Sequence, residues 1–531
     1  ILDRINIALK DEKVSFRTAG VGVIYEGLNK ASTQDSVVFI LASYVIIAGF
    51  LWLLYRRVVP TIVSLVGAGV AAMWTLGIYG AFGCNINMVS MVLPTLVFII
   101  GLADSVHILM FVSRLPRNED RRNRVVHGVG HMLRPCLFNT LTTAGAFAAF
   151  AASRMLVIRD FGLFAAAGLL CAFVATIPVC VWALHWERAE PRMTDKRVLQ
   201  RAVMALADLG VRRPFIVLAA ATALAVVAGI GLSRIVVDTY SIDFLPDSHS
   251  VRQDADFVES RFGPFTPLEF VLAARSGTTL RPDVLNAVDK WQRRVEQERT
   301  AGWSFSAVDP LKRLNRALSE DYQQLGLPED PARLYMLAMA YKENAPGDFG
   351  RWVDSQGRVR VCFGIPMASA HELGERIKTM RSASTLPPDV TLTVTGYIPL
   401  YVKMMDYVVE TQVSSFLFAF VVIFFLITLL FRSGWVALLA VPANLLPVLL
   451  VLGLMGLVGI RLDVATVTTG AIVLGLVVDD TVHLLHRWGH VLPLANDPVV
   501  DLRMGVSEVG TAMMTTTLVL SFGFAVLALA Q

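Results

Sequence analysis

Ten stretches of this chain are apolar and long enough to cross a lipid bilayer, and that feature alone removes most fold classes. They lie near 37–54, 60–80, 88–112, 132–152, 161–184, 214–233, 412–431, 436–458, 464–487 and 504–528. A segment in hydrocarbon must satisfy its own backbone N–H and C=O groups, so each is read as a helix. Composition agrees, because 55% of the 531 residues are hydrophobic and only 17% are charged. A soluble domain carries about 25% charged residues. The net charge of +4 is small and gathered in short loops, which argues against nucleic acid as a partner. Five cysteines, at 84, 136, 171, 180 and 362, follow no disulfide or zinc spacing and read as small core residues.

The short loops orient the helices. Arg56–Arg57, the run RLPRNEDRRNR at 114–124 and the 185–213 linker with seven Lys or Arg are expected on the cytoplasmic side. The loop GAFGCNINM at 80–88 has no Lys or Arg, as an outside loop should. Counting crossings then puts 1–36 and 234–411 outside a cytoplasmic (inner) membrane. The organisation expected is 1–36 as the end of a first outside domain, 37–184 as first-half helices and 185–213 as a linker. The helix 214–233 opens the second half, 234–411 is an outside domain, and 412–531 holds the second-half helices.

Within 234–411, Leu268–Ala274 reads as a strand, followed by an amphipathic helix near 282–298. Arg358–Pro366 reads as a second strand after the turn signal SQG, with a helix near 369–384 and a strand at Val390–Val394. Strands interleaved with helices predict a split βαβ α+β sandwich, with 309–345 as a helical insertion.

An internal repeat decides the architecture. A shift of 376 residues lays Ala19-Gly20 on Thr395-Gly396, Tyr55-Arg56 on Phe431-Arg432 and Asp104-Ser-Val-His107 on Asp480-Thr-Val-His483, without a gap. Such duplication is a common build for transporters. A complete repeat would make twelve helices and two outside domains, of which ten helices fall in this sequence. The fold class expected is therefore a polytopic α-helical membrane protein with an internal repeat, plus an extracytoplasmic α+β domain.

The repeat carries ionisable residues into the membrane. GLADSVHIL at 101–109 and GLVVDDTVHLL at 475–485 each place Asp and His three apart, on one helix face. Such residues are costly in hydrocarbon and normally face a bundle interior, where a carboxyl poised between burial and a charged neighbour can load and release protons. Asp104 and Asp480 are aligned by the repeat and are expected to face one another as principal carriers, with His107 and His483 as partners. Asp479 stands about 100° away round the helix and reads as accessory. Thr140, Thr142 and Thr143, with Thr515, Thr516 and Thr517 in the other half, open the following helices. They either bond these carboxyls and relay protons or bond their own backbone.

At this point the chain resembles the resistance-nodulation-division (RND) exporters. The stretch PANLLPVLLVLGLMGLVGIRLDVATVTTGAIVLGLVVDDTVHLLHRW at 442–488 carries the likeness most specifically. The MMPL and Patched-like branch, with its sterol-sensing-like membrane region, is the closer likeness. The resemblance implies proton-relay roles for Asp104, Asp479 and Asp480 and a porter-like, substrate-handling role for 234–411. The first half departs in having Ala68 and Ala71 where the second has Asn444 and Pro447, and one acid where the second has two.

The function expected is proton-driven export of a hydrophobic or amphiphilic small molecule or lipid, by a secondary transporter rather than an enzyme. No phosphate-binding loop is visible, no cofactor is expected, and a metal site is not. A homo-oligomer is admitted. A sterol or lipid sensor without pumping and an intramembrane aspartyl protease are the alternatives. Tyr397, Tyr401, Met404 and Met405 sit just above the membrane, either as interfacial anchors or as the wall of an apolar substrate cleft.

Overall fold

The computed structural model describes residues 16–113, 115, 121–186, 197–319, 326–491 and 498–526. The first fifteen residues of the 1–36 segment, part of the basic run 114–124, residues 187–196 of the linker and 320–325 of the insertion lie outside the described residues. The chain forms two compact units. One combines the chain up to Leu28 with Asp238–Asp406, and the other combines Asn29–Val237 with the chain from Tyr407 onward.

The first run of helices is α1 (Val21–Tyr55), α2 (Val58–Ala81), α3 (Leu93–Val112), α4 (Arg121–Ala148) and α5 (Leu156–Trp186). Then come α6 (Arg197–Arg212) and α7 (Pro214–Leu232). The polar segment holds α8 (Ser250–Phe262), β1 (Thr266–Ala274), α9 (Pro282–Gln297), β2 (Trp303–Ser306), α10 (Val308–Leu318) and α11 (Pro331–Asn344). It continues with α12 (Pro346–Trp352), β3 (Val359–Ile365), α13 (Ala370–Ser382) and β4 (Val390–Thr395). The second helical run is α14 (Tyr397–Phe431), α15 (Gly434–Val458), α16 (Thr469–Val491) and α17 (Pro498–Ala525).

Among the described residues nine helices are long and apolar enough to cross a membrane, one fewer than expected. The expected tenth, 504–528, is α17, whose apolar part is the shorter stretch Val509–Ala525. Two other boundaries differ. The helix expected at 37–54 begins at Val21, and the one expected at 412–431 begins at Tyr397. Pro399 falls in the first turn of its helix and Gly22 and Gly27 only weaken theirs, so the polarity of both lead-ins misplaced the starts. The linker also contains a helix, α6, which packs along α17 and pairs Asp208 with Arg503.

The 376-residue repeat is reproduced in backbone detail. Both α1 and α14 are 35 residues long, and each follows a glycine with positive φ, Gly20 at 142° and Gly396 at 89°. Each is followed by an arginine at φ 51°, Arg56 and Arg432, which turns the chain into the next helix. The entries to α3 and α16 match atom for atom. Asn87 Oδ1 accepts from the N–H groups of Val89 and Ser90, both at 3.0 Å. Asp463 Oδ1 accepts from Ala465 at 2.9 Å and Thr466 at 2.8 Å. Cross-packing is reciprocal as well, with α4 on α16 and their repeat mates α17 on α3. Since Asn serves in the first half, Asp463→Asn should be nearly silent, whereas Asp463→Ala should cost about 1 kcal/mol of stability. Titration with denaturing detergent would read both changes.

Burial follows from sequence periodicity. The apolar residues of α3 run all round the helix, and every residue except Phe111 is buried, as a central helix requires. In contrast α7 buries only Ala228 and Gly231, where it meets α15.

In the other unit the four strands lie in the order β2-β3-β1-β4, with every neighbouring pair antiparallel. With α9 between β1 and β2, and α13 between β3 and β4, this is the split βαβ arrangement expected. The period of two puts Leu268, Phe270 and Leu272 of β1 into the core. There Trp291 of α9 packs edge-on to Phe270 at 5.1 Å and to Phe363 at 4.9 Å, and donates to the Met380 carbonyl at 2.8 Å. Strand β2 and helix α8 were not anticipated, because four residues reading WSFS give too short an alternation to register. The insertion is present as α10, α11 and α12. Burial pushes the Cys362 thiol on β3 up to about 11, in keeping with an inert core cysteine.

Candidate functional site: a buried Asp–His cluster in the helical bundle

The site grows from α3, α4 and α16. Because α3 is central, Asp104 and His107 are buried whichever way they point, at 6% and 2% exposure. On α16, Asp479 and His483 are separated by four residues and share a face. Asp479 Oδ1 lies 3.3 Å from His483 Nε2, and both residues are buried. The His107 and His483 rings, repeat mates on different helices, stack with centroids 4.1 Å apart and planes 15° apart.

Helix α4 supplies the hydrogen-bond donors. Thr140 Oγ1 donates to Asp104 Oδ2 at 3.1 Å, and the Cys136 thiol, one turn earlier on the same face, also lies against Asp104. Thr143 instead donates to the Gly475 carbonyl of α16 at 3.1 Å and ties the two helices together. Thr142 bonds back to Asn139 O at 2.8 Å. Thr515, Thr516 and Thr517 bond back to Thr511 O, Met513 O and Met513 O at 2.7, 2.8 and 2.9 Å. Of the six threonines, Thr140 is thus the one that donates to Asp104, and Thr517 lies beside Asp480.

One expectation about position is corrected. The acid that joins Asp104 is Asp479, and Asp480 does not face it. Asp104 has Asp479 and His483 as its charged neighbours. Asp480 is only half-buried and has Thr517 of α17 beside it. The physical reason is helical phase. The face that stacks His483 on His107 also presents the residue four positions earlier, and that is Asp479.

The cluster has metal-binding atom types. One ligand atom each of His107, Asp479 and His483 lies within 4.8 Å of the others. An imidazole nitrogen binds an ion in the plane of its ring, and two nearly parallel stacked rings share no such point. The stack suits proton exchange between carboxyl and imidazole better than it suits an ion.

The other candidate residues lie in the sheet-containing unit. Tyr397 and Tyr401 line a small apolar pocket of about 30 Å³ together with Tyr25 and Tyr240. Tyr25 and Tyr397 share a hydrogen bond of 2.6 Å between hydroxyls, and Tyr401 donates to the Thr239 carbonyl at 2.7 Å. Tyr25 is the repeat mate of Tyr401. Met405 is buried and Met404 half-buried, and neither is among the residues lining this pocket.

Comparison with known proteins is informative for both halves. Residues 55–201 match the sterol-sensing domain of SREBP cleavage-activation, and residues 402–530 match the C-terminal domain of the protein export membrane protein SecD/SecF. By these matches the chain is similar to RND/Patched-like membrane proteins. Each match covers one repeat half and contains that half's Asp-x-x-His motif. A relative in Methanocaldococcus jannaschii, the membrane protein MJ1562, is 23% identical over 355 residues, covering 63% of this chain and 86% of the archaeal one. The RND/SecDF-like group consists typically of transporters rather than enzymes. Sequence reasoning missed Cys136, His131 and His486 around this protein's cluster. The last had a visible signal, since it lies three residues after His483 on the same helix.

Proposed function

We propose that this chain is a secondary transporter that uses the proton-motive force to export a hydrophobic or amphiphilic, lipid-like substrate from the cytoplasmic membrane. The observation that carries the reading is the cluster itself. Two carboxyls and two imidazoles from repeat-related segments meet where burying them costs several kcal/mol. Groups of that cost are kept for work, and moving one charge through 100 mV yields about 2.3 kcal/mol to drive it. Proton arrival at Asp479 and Asp104 changes the charge between α3 and α16, and the reciprocal packing of α4 and α17 gives a repeat-built bundle two related arrangements to move between.

The tyrosine-lined pocket supports the substrate class. It holds space for only a water or two, so a lipid enters when the Tyr25–Tyr397 pair parts. The match to a sterol-sensing domain over 55–201 favours a second reading, a lipid sensor that binds without pumping. Reconstitution in vesicles with an imposed pH gradient and labelled lipids separates the two. Gradient-dependent substrate movement is the expected result, and binding without movement at any gradient would favour the sensor.

A further inference from the structure

Next to the cluster lies a cavity of about 400 Å³ that the relay reading does not use. Its floor is His107 and His483, and it extends past His131, His486 and Arg487 towards Leu115, at the ends of α3 and α16 nearest the basic loop. Val509 of α17 forms part of its wall. Among the described residues, no Asp or Glu lines it. The charged and titratable groups facing it, again among the described residues, are those four histidines and Arg487, with Asp104, Asp479 and Cys136 behind the floor. His131 stacks on Phe111 at 4.7 Å and meets the His486 ring edge-on at 6.5 Å.

On the other side of the acids α4 and α16 are packed together. Thr143 bonds the Gly475 carbonyl, and a Cβ placed on Gly475 would lie 3.3 Å from both Ala146 and Thr143 side chains. Helices α4 and α16 thus touch on one side of the acids and part on the other.

We infer that in this conformation protons reach the buried acids only from the basic-loop face, through this cavity, with His131 and His486 as the relay between its mouth and His483. Imidazole suits the role, since it both accepts and donates near neutral pH. His486 lies three residues beyond His483 on one helix face, which spaces the two rings by one helical turn. The inference rests on the transport reading for the role of the histidines, while the one-sided access stands on packing alone.

Two measurements on the full chain in oriented vesicles test it. In the first, Val509→Cys and Thr143→Cys are exposed to a membrane-impermeant cationic thiol reagent from either face, and the label is located by mass spectrometry. Val509→Cys should react at least tenfold faster from the basic-loop face than from the other, and Thr143→Cys should react at least tenfold more slowly from both. Equal reaction of Val509→Cys from both faces, no reaction from the basic-loop face, or rapid reaction of Thr143→Cys from the opposite face would overturn one-sided access. In the second, proton flux is followed with an entrapped pH dye. The double variant His131→Gln/His486→Gln should slow flux about tenfold, with Asp479→Asn as the blocked reference. Wild-type flux in the double variant, with Asp479→Asn blocked, overturns the histidine relay alone. Undiminished flux in Asp479→Asn overturns the transport reading and the relay with it, and leaves the labelling result to decide access.

Discussion

Asp479→Asn is expected to lower proton-coupled transport by about 100-fold or more, the scale on which a positioned acid or base contributes to proton transfer. Asparagine keeps the shape of the side chain and its place beside His483, 3.3 Å away, but cannot change charge. Asp104→Asn should do the same, because its carboxyl is held by Thr140 on the opposite side of the same cluster. Asp480→Asn should cost much less, since that residue is half-buried and turned towards Thr517. Transport measured in vesicles, with each variant first shown to be folded and inserted, reads all three. A loss at Asp480 equal to or larger than that at Asp479 would return the principal role to the residue that repeat alignment alone selects.

Gly453→Val is expected to destabilise the helical unit by about 3 kcal/mol, the upper range for overpacking. The contact between α7 and α15 is backbone against backbone, and a Cβ on Gly453 would lie 2.5 Å from the Cα and carbonyl oxygen of Ala228. No flexible side chain can give way there. Small residues that let helices approach this closely supply the dispersion contact that holds helices together in lipid. Gly229→Val is the matched control, since nothing lies within 4 Å of the position its Cβ would take. It should shift a detergent-denaturation midpoint only slightly. A similar loss for both variants would mean that the cost comes from losing a helical glycine rather than from the close approach.

How much was legible in advance depends on the range over which each feature is specified. Membrane helices are specified locally, by hydropathy over about twenty residues, and among the described residues nine of the ten expected are present as helices of spanning length. The repeat is written in identical residue spacing, and the structure matches it down to the paired arginines at φ 51°. The split βαβ sheet was readable wherever a strand was long enough to alternate, as in β1 and β3, and unreadable in the four residues of β2. Helix starts were misplaced because the polar lead-ins extend their helices despite Gly22, Gly27 and Pro399. The proline sits in the first turn, where its missing N–H has no helical partner to lose.

The sequence by itself determined that this chain crosses a membrane repeatedly in two related halves, and that each half carries an Asp and a His into the apolar layer. Hydropathy, period and spacing are properties of the chain, and they survive without knowledge of what packs on what. Only the tertiary structure decided which carboxyl meets Asp104, which threonine reaches it and where the bundle opens. Those outcomes turn on helical phase and on the distance between helices. A rotation of about 100° separates Asp479 from Asp480, and a sequence aligned to its own repeat cannot register it.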